Sequence, residues 1–352
     1  MDASAEKEPV RLHREAVAAL GAGDLDRAET ALRRLVAMVP DAEEAWHRLG
    51  IASSRRLGLK EAARHVAEIA RQETPSAVGG RVAARMAAQG RDLPLAVTLA
   101  RAAAERDGWS APSAALLCSL LRRTGALEEA VVAAKRALRH TGSDASVQDA
   151  RMRRDMGEIL LAGGEPAAAA VAAAAAVAAA PVDERARALL CDALAQTGDR
   201  TREEAALRAW AEAFPAALPP RHRLVNLLVA ADRPGEAAPL LLRILRERPK
   251  DGRFYTLAAM VMSALEKDRR ARALAQRGVD LLPGSPHAHV ALATVLTRVG
   301  EYAAAEAPAR AAVALAPDMV EGHNLLALSL QRQNRFAEAA AASQEALRIA
   351  PD

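Results

Sequence analysis

A unit of 34 residues is written twice in succession near the C-terminal end of this chain. PHAHVALATVLTRVGEYAAAEAPARAAVALAP runs from Pro286 to Pro317, and VEGHNLLALSLQRQNRFAEAAAASQEALRIAP from Val320 to Pro351. Each copy holds an apolar run of helical period, a turn residue (Gly300 or Asn334), an aromatic two positions on (Tyr302 or Phe336), and a second helical run closed by proline. A fixed period of this size constrains the fold strongly. One such unit cannot bury its own apolar face and must stack on its neighbours.

Intervals of 34 counted back from Pro351 fall on Pro317, Pro283, Pro249, Pro215 and Pro181. The phase then shifts by five residues and resumes at Gly142, Gly108, Thr74 (beside Pro75) and Pro40. The chain reads as ten helix–turn–helix repeats, four across residues 9–144 and six across 150–352. Residues 145–149 are an insertion between the two runs, and residues 1–8 are expected to form a disordered N-terminus. A second position confirms the phase. Twelve residues before each closing residue stands Ala28, Ala62, Ala96, Ala130, Ala169, Ala237, Ala271, Ala305 or Ala339, with Glu203 alone departing. A small side chain is expected there because two antiparallel helices approach most closely at that point.

These residues resemble the tetratricopeptide repeat family, whose pattern is W-x2-L-G-x2-Y, then A-x3-F, then A and P. Trp46, Leu49, Gly50, Ala62 and Val66 carry it in the second repeat; Met156, Gly157 and Gly164 in the fifth. Leu292, Leu296, Gly300, Tyr302, Ala305, Ala309, Ala312 and Pro317 carry it in the ninth. Cys118 and Cys191 depart from it by replacing the small glycine. The resemblance implies an all-α fold, an α-solenoid forming a right-handed superhelix.

Hydrophobic residues make up 51% of the chain but aromatics only 2%, so burial must come from Leu, Val, Met and Ala in close helix packing. The formal charge is +4, with Arg supplying 43 of the 48 positive side chains. A nucleic-acid surface would need a denser basic cluster with stacking aromatics, so no nucleic acid is expected. The two cysteines fall at one repeat position and read as small buried hydrophobes. MDASAEKEPVRLH has no apolar core of a secretory signal, and the alanine-rich run from Pro166 to Val182 is too short to span a bilayer. A cytoplasmic, bacterial protein without membrane contact is expected.

No glycine-rich phosphate loop, nucleophile elbow, H-E-x-x-H or C-x-x-C is present, and His287 and His289 point to different helix faces. No catalytic residue, cofactor or metal site is expected. The resemblance instead directs attention to positions 2, 5, 9, 12 and 13 of each repeat, which line the concave groove of the family. Those positions hold Arg81, Arg85, Arg122, Arg123, Arg151, Arg154, Glu158, Arg185 and Asp192 in the first six repeats. His222, Asn226, Arg253, His287, Arg298, Asn324, Gln331 and Arg332 follow in the later ones. Arginine forks grip carboxylates bidentately, so an acidic or C-terminal peptide segment of a protein partner is expected in the groove. The carboxylate clamp for chaperone tails is begun by His222 and Asn226 but broken by Leu257 and Ala291.

The function expected is therefore a scaffold or adaptor, not an enzyme. The alternatives are the recruiting portion of a longer enzyme, such as a glycosyltransferase or sulfotransferase, and a scaffold that self-assembles. For the latter, a homo-oligomer would join through the terminal repeat, whose Ala339, Ala342, Ala346 and Ile349 are expected to face outward.

Overall fold

The computed structural model describes residues 7–140 and 147–350, and among them there are twenty α-helices and no strand. The chain divides into two compact units, Met1–Ala206 and Leu207–Asp352. The first holds α1 (Lys7–Ala22), α2 (Leu25–Met38), α3 (Glu43–Leu57), α4 (Leu59–Glu68), α5 (Ala77–Gln89) and α6 (Leu93–Arg106). It continues through α7 (Ala111–Arg123), α8 (Leu127–His140), α9 (Val147–Ala162), α10 (Pro166–Ala179) and α11 (Glu184–Thr197). The boundary falls inside α12 (Arg200–Ala213). The second unit holds α13 (Leu218–Ala230), α14 (Pro234–Glu247), α15 (Gly252–Ala264) and α16 (Asp268–Leu281). Its last helices are α17 (Pro286–Arg298), α18 (Tyr302–Leu315), α19 (Val320–Gln331) and α20 (Phe336–Ile349).

The turn inside each hairpin explains the regularity. Every one contains a residue of positive φ: Gly23, Gly58, Arg91, Gly125, Gly164, Gly198, Asp232, Glu266, Gly300 and Asn334. At Gly300 the N–H of Glu301 reaches back to the Leu296 carbonyl at 2.9 Å, which satisfies a helix-end acceptor and stops the helix. Asp24 and Asp92 then cap the following helices, accepting from Arg27 N at 3.1 Å and Leu95 N at 3.2 Å. Between hairpins the residue before each closing proline leaves the helical region, as Val39, Arg248, Leu282 and Ala316 do.

Within the first unit each even-numbered helix packs on the odd one before and the odd one after it, and α3, α5, α7, α9 and α11 touch in sequence. One hydrophobic core runs through this stack from Leu12 to Leu194. In the second unit α15, α17 and α19 touch in the same way. The periodic alanines sit where helices close: Ala28, Ala62, Ala96, Ala130, Ala169, Ala237, Ala271 and Ala305 are fully buried and Ala339 nearly so. The eighth position of the repeat is equally tight. A Cβ on Gly50 would lie 2.8 Å from Met86 Sδ, and one on Gly157 would lie 2.9 Å from Leu189 Cδ2. Cys118 and Cys191 fill that position elsewhere and are fully buried.

Three details differ from the sequence reading. Helix α1 already begins at Lys7, inside the stretch expected to be disordered, whose residues 1–6 lie outside the described residues. Helix α9 begins at Val147, so the last part of the 145–149 insertion is helical, and 145–146 lie outside the described residues. Ala339, Ala342 and Ala346 are buried against the rest of the last hairpin, and the large exposed apolar side chains of α20 are Phe336 and Leu347. The outward edge expected there is therefore carried by other residues.

Candidate functional site

What positions the odd-helix face is a bond repeated between hairpins. In five odd helices the fourth residue donates to the carbonyl of the proline that closes the hairpin before it. Trp46 Nε1 reaches Pro40 O at 2.7 Å, Arg187 Nε reaches Pro181 O at 3.1 Å, and Tyr255 Oη reaches Pro249 O at 3.2 Å. His289 and His323 do the same through Nε2 to Pro283 and Pro317, each at 2.9 Å. A proline carbonyl at a helix end has no intrahelical partner, so each bond both satisfies an acceptor and fixes the entry of the next helix.

The arginines expected on this face divide into three kinds. Arg81 is buried, and its Nη1 lies 3.1 Å from both Asp107 Oδ2 and Ser113 Oγ. Asp107 also accepts from the Ser110 backbone at 3.1 Å, ahead of α7. Arg154 repeats the arrangement, with Nη1 at 2.8 Å from Asp183 Oδ2 and Nη2 at 3.0 Å from Asp155. Asp183 in turn caps α11 through Arg185 N and Ala186 N. Burial opposes the Arg154 charge, but its bonds to Asp155 and Asp183 outweigh that and hold its pKa above the ordinary value. Both guanidiniums fasten one hairpin to the cap of the next. They are internal fastenings, which corrects the expectation that Arg81 lines an open groove.

Other members of the set are exposed but paired. Arg85 meets Glu43 at 3.3 Å and Arg122 meets Glu158 at 3.7 Å. In the second unit Arg253 grips Asp251 with two bonds, Nε to Oδ1 at 3.0 Å and Nη2 to Oδ2 at 2.9 Å. Arg253 thereby holds the Asp251 carboxyl below its ordinary range. Arg298 pairs with Asp268, and Arg332 lies 5.6 Å over the Tyr302 ring. His222 sits edge-on to Phe254 at 5.2 Å and meets Asn226 at 3.4 Å. Asn324 and His287 are exposed on α19 and α17.

Arg151 and Arg185 are different. Both are exposed on successive odd helices, α9 and α11, and both line one cavity of about 490 Å³ with Val182, Glu184 and the Arg154–Asp183 pair. Arg185 also borders a second cavity of about 520 Å³ lined by Glu158, Leu161, Leu189, Asp192 and Gln196. The structure thus joins Arg151, Arg185, Glu158 and Asp192 into one area and adds Leu161, Leu189 and Gln196. The apolar pair was missed because only polar side chains were sought; Leu161 and Gln196 do stand at repeat positions 12 and 13. Among the described residues no three His, Cys, Asp or Glu side chains are grouped to hold a metal ion. None of the described helices is long and apolar enough to cross a membrane.

This fold and face define a class: tandem helical hairpins that present one lined face per stack. The family model for the tetratricopeptide repeat matches residues 13–78 and 290–352. The chain therefore carries tetratricopeptide repeats at both ends of its array. No curated protein matches the sequence. Among solved structures it is similar to pilF of Pseudomonas aeruginosa, at 16% identity and a TM-score of 0.47, over 58% of this chain and 93% of that one. It is similar to YrrB, described as a TPR protein with an unusual peptide-binding site, at 14% identity and a TM-score of 0.45, over 57% and 97% of the two chains. MamA of Desulfovibrio magneticus RS-1 is similar at 17% identity and a TM-score of 0.38, over 57% and 94%.

Proposed function

We propose that this protein is an interaction scaffold whose odd-helix face binds an extended peptide segment of a protein partner, centred on α9 and α11. The observation that carries the reading is the pair Arg151 and Arg185, exposed on neighbouring helices around one cavity while most other arginines of the face are occupied by carboxylates. A partner carboxylate would meet two guanidinium forks there. An apolar side chain beside it would cover Leu161 and Leu189, and Glu158 with Asp192 would orient donors of the peptide. The segment is therefore acidic at one position and not along its whole length, because a run of acids would face Glu158, Asp192 and Glu184 as well.

An array of peptides, acidic, neutral and basic, each with and without a large apolar residue, tests this by fluorescence anisotropy. Peptides joining one acid to one apolar residue should bind best. Arg151→Glu with Arg185→Glu should weaken them by at least about tenfold, the loss expected when charge-assisted bonds become repulsive. Equal binding to wild type and double variant would remove the site from this area. Arg154 is left intact because its side chain fastens the α11 cap.

A further inference from the structure

A third cavity, of about 530 Å³, lies away from the odd-helix face, between the even helices α6 and α8 with α7 beneath. Its lining is Trp109, Leu117, Leu121, Val132 and Ala133, and its rim is Arg101, Glu105, Glu128, Glu129 and Arg136. Four independent features mark it. Trp109 follows Gly108 in the turn after α6, and both have positive φ, 67° and 65°, a conformation that a bulky side chain rarely adopts. This backbone turns the indole inward, leaving it only 6% exposed. Its N–H is buried and has no acceptor among the described residues. An indole N–H taken into a protein interior normally finds a partner.

The rim adds the other two features. The Arg136 guanidinium lies 4.6 Å over the indole ring and has no carboxylate partner among the described residues. Val132, at the mouth, is 66% exposed, although an apolar side chain on a charged helix surface gains nothing from water. Of the three rim carboxylates, Glu129 is neutralised by Arg101 at 2.6 Å. Glu105 and Glu128 remain, exposed, against Arg136 alone, so the mouth carries a net negative charge.

We infer that this cavity is a second protein-docking site, which takes a large apolar side chain of a partner peptide flanked by lysine or arginine. The apolar side chain fills the space over Trp109, Leu117 and Leu121 and covers Val132. The flanking base answers Glu105 and Glu128. The preferred charge is opposite to that proposed for the Arg151 and Arg185 area, and the two sites lie on different helices of the same unit. The inference does not depend on the odd-helix reading.

Random short peptides displayed on phage, selected on the full chain, provide the test. Enriched sequences should share one large apolar residue next to a basic one. Synthetic versions should lose at least about tenfold in affinity for Val132→Asp, and again for Glu105→Lys with Glu128→Lys, as expected when an anchor contact is lost or charges are opposed. All three positions are on the surface, and unchanged far-ultraviolet circular dichroism will show that the variants fold. The same peptides should bind Arg151→Glu with Arg185→Glu as they bind wild type. Failure to enrich any such sequence, or enriched peptides that bind the pocket variants undiminished, would overturn the assignment.

Discussion

Glu266 and Gly300 occupy equivalent turns one repeat apart, and both have positive φ, 57° and 81°. Glycine accepts that conformation without cost, whereas a residue with a Cβ is strained by roughly 1–2 kcal/mol. A Cβ at Gly300 would touch nothing within 4 Å, so the penalty there is torsional alone. Gly300→Ala should therefore lower stability by about 1 kcal/mol and Glu266→Gly should raise it, as read from paired urea unfolding curves. The same sign for both would refute the argument. Ala305, fully buried where α17 and α18 close, gives the opposite kind of test: Ala305→Leu should cost about 1–3 kcal/mol by overpacking. Cys118 bears on reactivity. Burial pushes its thiol up to about 12, so Ellman's reagent should label it only after denaturation. Labelling of Cys118 in the native chain would contradict the packing described at that position.

At the scale of the element, Arg151 and Arg154 separate two roles that look alike on one helix. Both border the same cavity, but Arg151 is exposed, whereas Arg154 is half-buried and reaches the carboxylate that caps α11. Arg154→Ala should cost about 1–3 kcal/mol, the range for charge-assisted bonds at half-buried sites, and Arg151→Ala should be nearly neutral. Equal thermal shifts would remove the distinction. Sequence position alone could not make it, because both arginines stand at positions assigned to one face. What separates them is where the cap of the next repeat falls, and Asp183 lies beyond the turn that α10 imposes. The donors at the fourth position were legible in principle. Trp46, Arg187, Tyr255, His289 and His323 share only a capacity to donate, so a search by residue type passes over them. Trp109 escaped for a related reason, since a tryptophan after Gly108 in a turn reads as an irregularity until its ring is seen to line a cavity.

For the whole molecule, the repeat period carried most of the fold. The starts of the even helices at Leu25, Leu59, Leu93 and Leu127, and at Pro166 through Phe336, keep the interval read from the closing prolines. Charge pairing was not legible in that way, because many arginines, such as Arg101, Arg208 and Arg272, pair with a carboxylate 28 or 29 residues on, and which partner is met depends on rotamer and helix phase. These pairs set a pH response. In the second unit Glu247 is held low by Arg221, Asp251 by Arg253, and Glu306 by Arg335. Carboxyls lowered in the folded state bind fewer protons there than in the unfolded chain, so their contribution is complete above the ordinary glutamate value of 4.5 and is lost as pH falls below it. The melting temperature should be flat from neutral pH down to that value and should decline beneath it. A melting temperature that rises on acidification would contradict this pairing.

The central claim is that the odd-helix face around Arg151 and Arg185 receives a protein partner. Its most direct test is affinity purification from native lysate with two baits in parallel, wild type and Arg151→Glu with Arg185→Glu, each shown to keep its helicity. Wild type should capture a protein that the double variant loses, and a short peptide of that protein joining one acid to one apolar residue, added as competitor, should abolish the capture by wild type. Identical captured sets from the two baits would contradict it.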